Sequence, residues 1–79
     1  MKEIKISLDT IDKVKNFVNI AMQYPQELVV SSGRFVVNAK SIMGLFSLDL
    51  TKKVLLSIPN DVGYKVFKEK LSDVQIDFE

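Results

Sequence analysis

Ile4, Ile6 and Leu8 alternate with Glu3, Lys5 and Ser7 at the start of the chain. Period two with one wet face predicts a half-buried strand. Asp9 or Thr10 then stands where a helix N-cap is needed, and Asp12 suits the positive end of the helix dipole. Ile11, Val14, Phe17, Val18 and Ala21 follow at helical spacing, with Lys13, Lys15, Asn16 and Asn19 on the other face. This predicts an amphipathic helix from about Ile11 to Met22 that Pro25 cannot continue. Glu27 to Ser31 and Arg34 to Asn38 read as two strands of a hairpin, turning at Ser32-Gly33. Ser41 caps a short second helix that runs to about Leu48. Lys53 to Ile58 is a fourth strand, closed by Pro59-Asn60. Asn60 or Asp61 caps a third helix through Leu71, carrying Val62, Val66, Phe67 and Lys70. The order β-α-β-β-α-β-α predicts a two-layer α+β domain spanning residues 1–79, with a four-stranded, mainly antiparallel sheet and helices on one face.

The last residues also alternate, with Val74, Ile76 and Phe78 set against Gln75 and Asp77. Two readings stand: a frayed end, or an extra edge strand that could serve a dimer contact.

The second helix carries more apolar surface than one packing contact needs. At about 100° per residue, Ile42, Met43 and Phe46 occupy one sector, and Leu45 and Leu48 another. If Leu45 and Leu48 face the sheet, the first sector is left in water at a loss of roughly 1.5–3 kcal/mol per side chain. Exposed clusters of this kind mark interaction sites, and methionine suits surfaces that fit several partners. The plainer alternative is a helix buried on two sides by a small core.

Composition narrows the chemistry. The chain has 79 residues and neither histidine nor cysteine, so Cys/His metal sites and disulfides are excluded. Eleven Lys and Arg against ten Asp and Glu leave a net charge of +1, with no basic footprint for nucleic acid. No run of apolar residues is long enough to span a membrane, and Met1-Lys2-Glu3-Ile4-Lys5 lacks a signal-peptide core. A cytoplasmic protein without cofactor or metal is expected, and not an enzyme.

The segment Asn38-Ala39-Lys40-Ser41-Ile42-Met43-Gly44-Leu45-Phe46-Ser47-Leu48 resembles the Lys-Ser-Ile-Met-Gly region of HPr, the small phosphocarrier of the bacterial sugar phosphotransferase system. The resemblance implies an open-faced sandwich. It implies partners among phosphotransferase-system proteins: enzyme I, sugar permease domains, and a catabolite regulator of transcription. Carried over, the docking residues are Ile42, Met43 and Phe46, with Lys40 beside them. Ser41 matches the serine that a dedicated HPr kinase phosphorylates in Gram-positive bacteria, besides its capping role.

HPr carries phosphate on a histidine within a Gly-x-His-Ala-Arg-Pro pattern. Aligned on Lys40-Ser41 and on Tyr24, that pattern falls on Asp9-Thr10-Ile11-Asp12-Lys13. Thr10 takes the place of the histidine, Asp12 that of the arginine, and Lys13 that of the proline. Imidazole transfers phosphate because its phosphoramidate is labile and its pKa lies near neutrality. A threonine ester is too stable to hand on. A phosphate on Ser41 would face the Asp12 carboxylate rather than an arginine, leaving Lys40, Lys13 or Arg34 to compensate. The expected function is a non-catalytic regulatory or interaction module that docks through the second helix. The rivals are a structural domain that homodimerises through that helix or the C-terminal segment, and an atypical carrier using another residue such as Asp9 or Asp12.

Overall fold

A computed structural model describes residues 2–79. The elements are β1 (Lys2–Ile6), α1 (Ile11–Ala21), β2 (Val29–Ser32), β3 (Phe35–Asn38), α2 (Ile42–Phe46), β4 (Val54–Ile58) and α3 (Tyr64–Asp73). The strands form one sheet in the order β1-β4-β2-β3, with every neighbouring pair antiparallel. Ile4 lies opposite Leu56, Leu56 opposite Val30, and Val30 opposite Val37, so one apolar row crosses the whole sheet. Side chains alternate between faces, and the helices cover the face carrying this row. Phe17 of α1, Leu45 of α2, and Phe67 and Leu71 of α3 are fully buried there with Ile4, Ile6 and Leu56. Among the described residues no polar or charged side chain is buried, so the core carries no desolvated charge.

The hairpin turns one residue later than Ser32-Gly33. Ser32 pairs with Phe35, so Gly33 and Arg34 form the turn, and Gly33 takes φ +59. Positive φ at the first of two turn residues is the pattern of a II′ hairpin, which glycine adopts without strain. The third helix starts later than Asn60 or Asp61 would place it. The Val62 N–H bonds to the Pro59 carbonyl in a turn, and Gly63 becomes the N-cap without a side-chain hydrogen bond. Asp61 instead accepts from the Gln26 amide at 3.2 Å, tying this loop to the segment that leads into β2. Val66 consequently faces outward, while Val62 is buried in the turn ahead of the helix.

The tail is ordered against the sheet. Gln75 donates to the Ser72 carbonyl and Ile76 to the Leu71 carbonyl, with Gln75 at φ +61. This is a Schellman ending, and its apolar pair is Leu71 with Ile76, both buried. The reversal lays residues 77–79 along the outer edge of β1. Ser7 donates to Asp77, Lys5 and Glu79 exchange both backbone bonds, and Ile6 bridges Phe78. Lys53 pairs with the Glu79 carboxylate beside this edge. The tail is thus an extra edge pairing rather than a frayed end.

Candidate functional site

Ser41 sits in extended conformation, and its hydroxyl accepts the Gly44 N–H at 3.1 Å, which starts α2. The preceding Asn38 fixes the approach, because its side-chain carbonyl accepts the Lys40 N–H and its backbone carbonyl the Ser41 N–H. A Cβ at Gly44 would stand 3.3 Å from Val37 Cβ and 3.1 Å from Ser41 Oγ. Glycine therefore lets the helix lie close on β3. α2 ends at Phe46, short of Leu48, because the Ser47 hydroxyl and N–H both take the Gly44 carbonyl. The final bonds tighten to i→i+3 there.

Leu45 is fully buried and Leu48 nearly so, while Ile42 is half-buried against the core. Met43 is 77% exposed and Phe46 43%. The helix is thus anchored by one sector and presents another to solvent. Lys40 is not on that presented face. Its ammonium donates to the Tyr24 carbonyl at 2.6 Å, holding the chain just past the C-terminal end of α1.

At the other end of α1, Thr10 is the N-cap, and its hydroxyl accepts the Lys13 N–H at 3.1 Å. Asp9 pairs with the Lys13 ammonium at 2.9 Å. That hydrogen bond, more than the unlike charge, holds the Asp9 carboxyl below its ordinary pKa and raises Lys13. Asp12 is exposed in the first turn. Ile11 was placed by its spacing on the buried stripe, yet it is 61% exposed. As the first helical residue it lies before the turn at which α1 meets the sheet, and Val14 is the first of the helix to be buried. The chemistry available around Thr10 is therefore one hydroxyl engaged in capping, one carboxylate held by lysine and one solvated carboxylate. Among the described residues no group of acids is placed to hold a metal ion.

Two lysine–tyrosine groupings went unread in the sequence. Tyr24 stacks on Phe67 at 5.3 Å, with the Lys70 ammonium 4.7 Å over its ring and bonded to the Gln23 side chain. Tyr64 has the ammonium groups of Lys2 and Lys68 at 5.4 and 4.4 Å from its ring. Only the i,i+4 spacing of Tyr64 and Lys68 signals either one in the sequence.

The architecture defines an open-faced α+β sandwich, with the helices on one side of a four-stranded antiparallel sheet. The crystal structure of HPr-C-His from Thermoanaerobacter tengcongensis superposes with a TM-score of 0.74 at 30% identity, covering 94% of this chain and 90% of that one. The chain belongs to the HPr family. No family model matches the sequence, and no curated protein does.

Proposed function

We propose that this chain is a non-catalytic HPr-like module of the phosphotransferase system that docks partner proteins through α2. The carrying observation is the exposed pair Met43 and Phe46 on a helix that Leu45 pins to the core. Ile42 borders the pair. Lys40 acts on its edge by fixing the segment that leads into the helix. An anchored apolar pair binds with little ordering cost, because its backbone is already fixed.

The carrier reaction is absent from this reading. The chain holds no imidazole, and Thr10, which the alignment on Lys40-Ser41 and Tyr24 sets at the carrier position, is engaged as a capping residue. Ser41 is the candidate regulatory site. It is exposed, and a phosphate there would place negative charge beside Met43. The partners this implies are enzyme I, sugar permease domains or a catabolite regulator, with an HPr-type kinase acting on Ser41.

The test is a titration of isotope-labelled chain with enzyme I and with a permease domain, followed by amide shifts. Shifts concentrated at Ile42 to Phe46 are expected, and they are lost in the double variant Met43→Asp, Phe46→Asp. Intact mass is expected to stay constant with enzyme I and phosphoenolpyruvate, and to rise by one phosphate with the kinase in wild type but not in Ser41→Ala. Shifts centred elsewhere, or an acid-labile phosphate, overturn the proposal.

A further inference from the structure

We infer that the free edge of β3 is a self-association surface, at which a second copy of this chain adds its own β3 antiparallel to form a two-fold dimer. The two ends of the sheet are treated differently. The β1 edge is closed by the chain's own tail through the Lys5–Glu79 and Ser7–Asp77 backbone bonds. Among the described residues, β3 pairs only with β2, on its inner side.

The hairpin geometry fixes which groups face out. Ser32 and Phe35 flank a two-residue turn, so they exchange backbone bonds, and the alternation makes Val30–Val37 the next bonded pair. The Ala39 N–H bond to the Leu28 carbonyl continues the same parity. The N–H and C=O of Val36 and the N–H of Asn38 therefore point away from the sheet. Exposed strands normally carry lysine, proline or a bulge against such pairing. β3, Phe35-Val36-Val37-Asn38, carries none of these. Phe35 is 68% exposed and Val36 66%, and they point to opposite faces, so both sides of this edge are apolar.

A copy of the same strand fits this edge. With Val36 opposite Val36 on the two-fold axis, Phe35 lies against Val37 and Arg34 against Asn38, so no like charges meet. Val36 exchanges both bonds with its counterpart, and each Asn38 N–H meets the Arg34 carbonyl across the interface. The net charge of +1 leaves little repulsion between copies. Four residues bury well under the roughly 1,200 Å² of a standard interface. The dimer is accordingly weak, with a dissociation constant on the order of 0.1–1 mM, and it closes upon itself as two-fold interfaces do.

Sedimentation equilibrium at about 20 µM and about 2 mM brackets that range. Wild type is expected at the 9.0 kDa monomer mass at the low concentration, moving toward twice that at the high one. Val36→Lys and Val36→Glu, each alone, stay monomeric at both concentrations, because like charges then meet on the axis. An equimolar mixture of the two associates. Thermal melts of both variants, whose altered side chain is exposed, report that they remain folded. A wild type that stays monomeric at 2 mM overturns the inference. So does Val36→Lys associating as wild type does, or a lysine–glutamate mixture that fails to associate while wild type dimerises.

Discussion

Met43 and Leu45 lie two residues apart on a helix of five, and their truncations test whether α2 has two unlike faces. Leu45 is fully buried, so Leu45→Ala forfeits its transfer energy and leaves a cavity, at a cost of about 2–5 kcal/mol. Met43 is 77% exposed and keeps only about a quarter of its side chain from water. Against roughly 1.5–3 kcal/mol for full burial, Met43→Ala forfeits about 0.4–0.7 kcal/mol, part of which alanine's helix propensity returns. The two variants should therefore differ by at least about 1.3 kcal/mol in urea unfolding, with equal slopes. In a domain of this size that is at least roughly 5 °C in Tm. A cost above about 1.5 kcal/mol for Met43→Ala would show the side chain packed in solution, and α2 would then lack the exposed Met43–Phe46 pair.

Two further outcomes follow from the tail and from the ionisable groups. Gln75 holds a left-handed backbone that costs a side chain about 1–2 kcal/mol, less the extra unfolded freedom of glycine. Gln75→Gly should raise stability by about 0.5–1 kcal/mol in chemical unfolding, and a loss would refute the Schellman assignment. Asp9, Asp49 and Glu79 have carboxyls held below their ordinary pKa by hydrogen bonds from Lys13, Thr51 and Lys53 respectively. Depressed folded-state pKa values stabilise above the unfolded values and are lost as the pH falls through them. Tm should thus decline below about pH 4. It should be level from about pH 5.5 to 7, where no histidine titrates. A step near pH 6.5 would contradict this.

The sheet was legible because its code is binary. Ile4 and Ile6 alternate with charged neighbours, and the structure buries both on one face of the sheet, Ile4 opposite Leu56 and Ile6 opposite Val54. Helical angle separates Leu45 and Leu48, which are buried, from Met43 and Phe46, which are exposed, but it groups Ile42 with the exposed pair, and Ile42 is half-buried against the core. The misreadings share another cause: local pattern does not state where an element meets its neighbours. Ile11 fits the apolar stripe of α1 but precedes the turn that reaches the sheet. Asn60 and Asp61 have capping side chains, yet the turn closed on the Pro59 carbonyl delays the helix to Tyr64. The alternation of Val74, Ile76 and Phe78 allows an edge strand, but glutamine is not the residue expected in a left-handed C′ position, so the reversal that brings the tail onto β1 is not announced. β3 is apolar on both faces, which reads equally as a central strand. Its place at the edge comes only from the sheet order.

The cations around Ser41 bear on how a phosphate there would act. Lys13 is engaged by Asp9, and Arg34 lies beyond the far end of β3, roughly 13 Å away along four residues of strand. Lys40 is adjacent but already donates to the Tyr24 carbonyl. A phosphate would therefore compete with that carbonyl for one ammonium group, exchanging one charge-assisted hydrogen bond for another. α2 does not need the exchange to stay in place, because Leu45 and Leu48 hold it from below. The consequence of such a modification would be felt at the surface, as negative charge at the start of α2. On the docking role proposed above, it would select between partners by their own charge rather than by refolding α2.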